Sequence, residues 1–242
     1  MSSRIYQFES FSQFKKITHG ISTKEFGSIK NVESLQIDRD GLTKFAADLG
    51  ITDAVVCMKQ IHGGSVSIIE NTNRLQISET DALITDKKHT PLAVLTADCL
   101  PILLYDPEKN VVGIAHAGYR GLLQHVIENT VKQLVTHFKS DPNDIIIGIG
   151  PSIERDCYEV GKELVQKFQE EFPSFDDIFA EKDGKYFLDL RKVAEQCLLK
   201  EGILKEHIEI MDVCTKCGPN FYSYRGGDGD KRFVSIISLI IP

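Results

Sequence analysis

The sequence has no excess of positive charge: 28 Lys and Arg stand against 35 Asp and Glu, for a formal net charge of −7. A general nucleic-acid binder needs a basic face to meet phosphate, so nucleic acid is not an expected partner. Scattered lysines and arginines still leave room for local anion sites. No stretch approaches the roughly 18 uninterrupted apolar residues of a membrane helix. The most apolar window, Val111 to Ala117, is only of strand length. The N-terminal MSSRIYQFESF has no cationic region followed by a long apolar run, so no secretory leader is expected and a cytoplasmic protein is. Nor does any repeat, low-complexity tract or Pro/Ser-rich linker divide the chain, and a single domain over residues 1–242 is the expectation.

What is present is an ordinary globular composition, 42% hydrophobic and 26% charged, in a chain long enough to bury a core without staples. Six cysteines occur, at 57, 99, 157, 197, 214 and 217. Without a leader they are expected as reduced thiols, so any special one should be a metal ligand or a nucleophile. Strand-like runs lie at Ser65–Ile69, Leu92–Leu95, Ile102–Tyr105, Val111–Ala115, Ile145–Ile149 and Phe233–Leu239. Several are continuously apolar, as strands covered on both faces are. Helical spacing predicts one long helix over about Arg120–Phe138, a second over Val160–Phe172, and a third capped by Asp189. Strands mixed with such helices give an α/β or α+β domain.

Polar residues gather at the ends of the apolar runs, in four clusters. Lys59-Gln60-Ile61-His62-Gly63-Gly64 sets a histidine against a glycine pair that lets backbone approach a ligand. Asp98-Cys99 ends one apolar strand, and Pro101 argues against simple continuation into the next. A carboxylate such as Asp98 in apolar surroundings must find a donor or a cation. In Ala115-His116-Ala117-Gly118-Tyr119-Arg120-Gly121, a strand passes through a small-residue turn into the predicted long helix, whose first N–H groups would face an anion. The fourth cluster joins Cys214-Thr215-Lys216-Cys217 to a glycine-rich loop between Arg225 and Arg232, two candidates for a phosphate clamp. The Cys-x-x-Cys resembles half of a structural zinc site, but the sequence has no second such pair. Taken singly, each cluster also reads as an ordinary turn, a buried thiol or a solvated loop.

In order along the chain, KQIHGGSV, DALITD, LTADCLPILLYD, GIAHAGYRG, IGPSIERDCYEVG and the CT…FYSYR segment resemble the YfiH family, the purine nucleoside phosphorylases once called laccase-domain proteins. The resemblance runs from about His19 to Leu239. It implies an αββα-type layered fold with mixed sheets and one zinc ion held by His62, Cys99 and His116. Three N/S ligands with an open fourth position describe a catalytic rather than a structural zinc. The implied activity is phosphorolysis of adenosine, inosine and related nucleosides, with adenosine deamination and methylthioadenosine phosphorolysis as further reactions. Cys99, His116 and Arg120 would then be catalytic, and Gly118, Tyr119, Arg225 and Arg232 would bind substrate or phosphate. Tyr119 stands where the family commonly has tryptophan, and Gly and Asp follow Arg225 where relatives often carry basic residues.

Other chemistries fit parts of the pattern. A multicopper oxidase would need His-x-His pairs, and none occurs among the seven histidines. A metal-free hydrolase, for example one editing peptidoglycan precursors, would use Cys99 as nucleophile, His116 as base and the Gly118 turn as oxyanion hole. His62 discriminates, because a dyad does not require it. A non-catalytic binding protein stabilised by zinc is the third alternative, and it would unfold on losing the metal.

Overall fold

The structure is a computed structural model that describes residues 4–71 and 73–240. The ends of the 1–242 span, including the first three residues of the N-terminal segment read above, lie outside the described residues. One six-stranded sheet runs in the order β1-β2-β15-β7-β3-β5, the other in the order β14-β10-β8-β9-β6-β4. The strands of the first are β1 (Ile5–Tyr6), β2 (Ile17–Ser22), β3 (Val56–Met58), β5 (Gln76–Ile77), β7 (Leu92–Thr96) and β15 (Phe233–Leu239). Those of the second are β4 (Val66–Ile68), β6 (Ala82–Thr85), β8 (Leu100–Asp106), β9 (Val111–Ala117), β10 (Ile146–Ile149) and β14 (Ile208–Ile210). Both sheets are mixed: β3 pairs β7 in parallel while β15 pairs β7 antiparallel, and β10 is parallel to β14 but antiparallel to β8. A small third sheet holds β11 (Glu159–Val160), β12 (Phe179–Lys182) and β13 (Lys185–Leu188).

Three buried clusters show how the layers stack. Ile21, Val94, Phe233 and Ile237 of the first sheet pack against Leu83, Leu103, Tyr105, Val112 and Ile114 of the second. On the far side of the second sheet, Ile84, Ile102, Leu104, Ala115 and Ile147 meet residues of three helices. These are α4 (Val126–Gln133), α5 (Lys162–Glu171) and α6 (Leu190–Lys200), which contribute Ile127, Val131, Phe168, Val193 and Cys197. On the far side of the first sheet, Ala93, Leu95, Val234 and Ile236 meet Leu42, Phe45 and Ala46 of α2 (Arg39–Asp48). The result is the αββα order. It explains the continuously apolar strands: Leu103 and Tyr105 face one core, Ile102 and Leu104 the other.

The expected strands are present, but the helices needed correction. The 120–138 stretch is broken into α3 (Tyr119–Leu123), α4 and a π-type turn over Leu134–Phe138. The break falls at His125, which adopts the left-handed conformation with φ of 59°. There Asn129 Nδ2 donates to the carbonyls of Gly64 and Gln124, tying the break to the His62 loop. Val160 belongs to β11 rather than to a helix, and α5 starts at Lys162. Asp189 does cap α6, accepting the Lys192 N–H at 2.9 Å. Pro101 does not stop a strand: it is the second residue of β8, paired with His116. Among the described residues no helix is long and apolar enough to cross a membrane.

His19 of β2 is a buried polar residue on which the N-terminal segment depends. Its Nε2 accepts the Phe8 N–H at 2.7 Å, and its ring packs against Phe8 and Phe11. Burial pushes its pKa down to about 4, against an opposing pull from Glu209. Only the neutral ring can accept that bond, so the contribution is fully present above the ordinary value near 6.5 and is lost as pH falls toward 4. Chemical denaturation between pH 7 and 4 should therefore show a loss of roughly 3 kcal/mol attributable to this site. In His19→Gln, whose amide oxygen can take the Phe8 N–H without titrating, that part of the slope should disappear.

Candidate metal centre

Three crossings between the two sheets converge on one point. The chain passes from β3 to β4 through residues 59–65, from β5 to β6 through residues 78–81, and from β7 to β8 through residues 97–99. These loops deliver His62, Asp81 and Cys99. The fourth residue, His116, comes from the end of β9, placed by a register that pairs Pro101 with His116 and Leu100 with Ala117. The ligand atoms of His62, Cys99 and His116 all lie within 4.8 Å of one another. The two imidazoles meet edge to face, with centroids 4.7 Å apart.

Asp81 holds the group together. Its side chain is fully buried, and it accepts the N–H groups of Ile61 (3.2 Å), His62 (3.0 Å) and Gly63 (2.7 Å). Oδ1 also accepts His116 Nδ1–H at 2.8 Å. A carboxylate cannot donate, so Nδ1 carries a proton and Nε2 is the nitrogen left to face the site. Burial pushes the Asp81 pKa up, but His116 and the backbone donors outweigh it and hold the carboxyl below its ordinary value. Burial likewise pushes the Cys99 thiol up, and His116 and then His62 override it and bring it down. His116 is held above its usual range by Cys99 and Asp81, although burial acts against its charge. The thiol is therefore poised as a thiolate.

Two residues at the centre carry backbone strain. His62 has φ of 58° and Asp98 of 92°, a region costly for residues with a Cβ. The His62 conformation is compensated by the three N–H bonds to Asp81. The Asp98 conformation is compensated by two strong bonds, from Thr215 Oγ1 to Oδ1 and from the Arg225 N–H to Oδ2, each 2.7 Å. These are the donors that Asp98 was expected to require. Gly118, which caps α3, must lack a side chain: a Cβ there would lie 2.7 Å from Cys99 Sγ. Because α3 has only five residues, its dipole is far weaker than the predicted long helix would have provided.

The other expected site residues lie around this centre in two groups. A cleft of about 220 Å³ opens beside His62, and Lys30, Lys59, Gln60, Met58, Leu95 and Arg232 line it. On the Cys99 side, the exposed Arg120 lies over the half-buried Tyr119 ring and donates to its hydroxyl at 2.9 Å. Arg225 stacks on Tyr158 at 4.9 Å and donates to the Glu159 carbonyl, so its guanidinium is partly committed. The acidic loop after Arg225 is largely answered by lysines: Asp228 pairs with Lys24 at 2.8 Å and Asp230 with Lys30 at 2.9 Å.

Sequence reasoning missed Asp81 as a site residue, and it missed Tyr158. An acid opening the apolar run Ala82–Thr85 was the available signal, since a buried carboxylate must be paired.

The fit of a metal can be judged from the donors. Two imidazoles and a thiolate, with one imidazole oriented by a carboxylate through its other nitrogen, suit a single zinc-like ion with an open position. They do not make a trinuclear copper cluster. Among the described residues the two groups able to gather around an ion hold two histidines in all.

Fold and site together define an αββα protein with a His/Cys cluster able to hold a metal ion at the junction of its sheets. The chain belongs to the family described as multi-copper polyphenol oxidoreductase laccase, matching it over residues 18–240. It is 34% identical to a purine nucleoside phosphorylase of Clostridium acetobutylicum over 235 residues, covering 94% of this chain and 95% of that one. It is 31% identical over 211 residues to "Adenosine deaminase RL5" from an unknown prokaryotic organism, covering 81% and 80%. Among solved structures, the hypothetical protein YfiH of Bacillus licheniformis superposes with a TM-score of 0.88 at 29% identity, covering 98% and 97%.

Replacing Asp81 tests its part in the centre. Asp81→Ala leaves four donors without an acceptor, the Gly63 N–H and the His116 ring among them buried, and should lower stability by about 3 kcal/mol in thermal or denaturant melts. In a chelator-competition titration, affinity for zinc should fall about 10- to 100-fold as His116 loses its orientation. Wild-type affinity in the variant would show that Asp81 supports only the fold.

Proposed function

We propose that this chain is a zinc-dependent purine nucleoside phosphorylase acting on adenosine, inosine and related nucleosides. Deamination of adenosine and phosphorolysis of methylthioadenosine are further reactions of the same site. The observation that carries the reading is a three-ligand His/Cys centre at the mouth of a cleft lined by cations. The names borne by relatives that align along most of the chain support it.

His62, Cys99 and His116 would hold the ion. When bound it would supply a Lewis acid and a means of acidifying water. The remaining work falls to the protein. Phosphorolysis needs an anion site beside the ribose C1′, so that phosphate attacks as the purine leaves. Lys59 beside His62 provides that charge together with Arg232, whose Nη1 also donates to the Gly229 and Lys231 carbonyls, and with Lys30 shared with Asp230. Arg120 stands across the centre on Tyr119 and can meet a second face of the phosphate, while Gly118 and the first N–H groups of α3 lie next to Cys99. Tyr119 and Tyr158 supply aromatic surface for a purine. Arg225, committed to Tyr158 and the Glu159 carbonyl, acts by holding Asp98 and the tyrosine in place.

A second reading rests on the Asp81–His116–Cys99 line, which also has the geometry of a nucleophile, base and orienting acid. In that hydrolase Cys99 attacks an acyl carbon and His62 is dispensable. The two readings separate in one experiment. Protein purified without added metal should contain about one firmly held ion at this centre and release hypoxanthine from inosine and phosphate, and His62→Ala should lose both. Turnover that persists in metal-free His62→Ala would favour the hydrolase. Within the phosphorylase reading, Arg232→Ala should raise KM for phosphate about tenfold, with metal content unchanged.

A further inference from the structure

The cysteines outside the centre make a second cluster that the nucleoside reading leaves unused. Cys157 follows the turn after β10, and Cys214 and Cys217 belong to the Cys-x-x-Cys whose partner pair is absent from the sequence. Folding supplies the missing donor from elsewhere. The three sulfurs lie within 4.8 Å of one another. They come from two segments 57 residues or more apart, so no local chain preference explains the meeting.

One of the three sulfurs, that of Cys214, sits where backbone donors favour negative charge. Cys214 is buried, and its sulfur accepts backbone N–H groups from Cys217, Glu154 and Lys216. The turn closes through the Gly218 N–H donating to the Cys214 carbonyl at 3.0 Å, where a Cβ on Gly218 would lie 2.4 Å from that oxygen. A Cys-x-x-Cys-Gly turn with N–H groups directed at its first sulfur is a shape that pre-orients two thiolates toward one ion. Lys216 Nζ donates to the Cys157 carbonyl at 3.2 Å and fastens the third ligand's segment to the same turn. Cys217 is exposed, so the cluster is open to solvent on its side.

We propose that Cys157, Cys214 and Cys217 form a second metal site, separate from the His62 centre, for a thiophilic ion such as zinc. Binding exchanges thiol protons, released to solvent, for three metal–sulfur bonds and removes the repulsion among closely spaced thiolates. The site is structural in position. Thr215, inside the turn, donates to Asp98, the residue before Cys99, and Cys214 bridges to Ser152 beside the same strand ends. The proposal does not depend on the nucleoside reading, because its readout is metal content.

The full chain, purified with a phosphine reductant, loaded with zinc and freed of excess, should hold about two ions by elemental analysis. Cys217→Ala, an exposed position with little risk to folding, should hold about one, as should Cys157→Ser and, independently, His62→Ala. The double variant His62→Ala/Cys217→Ala should hold almost none. Loaded with cobalt instead, His62→Ala should retain the strong near-ultraviolet sulfur-to-cobalt absorbance, and further addition of Cys217→Ala should weaken it. One ion per wild-type chain, unchanged by Cys217→Ala and by Cys157→Ser in folded protein with free thiols, would overturn the proposal. A failure of His62→Ala alone to lose an ion would count against the first centre and leave the cysteine result standing.

Discussion

A single buried carboxylate organises the centre. Asp81 sits at the entry to β6 with no solvent to stabilise its charge, and it is tolerable there only because four donors converge on its two oxygens. Three of those donors are consecutive backbone N–H groups, so satisfying Asp81 bends the 61–63 loop and forces His62 into a left-handed conformation. The fourth is the ring of His116, which leaves the other ring nitrogen directed at Cys99. One desolvated charge thus specifies a backbone turn, a tautomer and the angle between two ligands.

A parallel arrangement braces the other side. Asp98 is strained in the same sense as His62 and is paid for by Thr215 and the Arg225 backbone, both from the C-terminal segment. That segment also carries the Cys-x-x-Cys turn and the cationic loop ending at Arg232. The segment carrying Thr215 and Arg225 is therefore docked onto the centre by Asp98, and it contributes Cys214 and Cys217 to the thiol cluster and Arg232 to the cleft beside His62. The small, nearly side-chain-free Gly118 lets Cys99 close against the start of α3. A Cβ there would lie 2.7 Å from the sulfur, so the turn or the thiol would have to shift.

The layered architecture accounts for the location. The two sheets are stacked, and the chain crosses between them repeatedly at one end. Crossings carry backbone that cannot pair with a sheet neighbour, and its polar groups must be satisfied by side chains. A buried acid at such a junction answers that need and provides a fixed negative charge around which histidine and cysteine ligands can gather. Stability and site preparation are the same set of hydrogen bonds.

Much of this was readable in advance. Periodicity and apolar runs located the strands around the site and the cap at Asp189, because burial on two faces leaves a local signature that needs no knowledge of partners. The motifs led, through family resemblance, to His62, Cys99 and His116, and the structure brings those three together. What local pattern could not supply was the break at His125, beside which Asn129 ties the chain to the His62 loop, or the strand role of Pro101, set by its place opposite His116. It could not show that Asp81 is the common acceptor, nor that Cys157 completes the Cys214–Cys217 pair. By itself the sequence determined which segments are buried and which reactive side chains stand at their ends. Only the tertiary structure decided which of those ends meet, because contacts between residues far apart in the chain follow from sheet register and crossing geometry rather than from spacing.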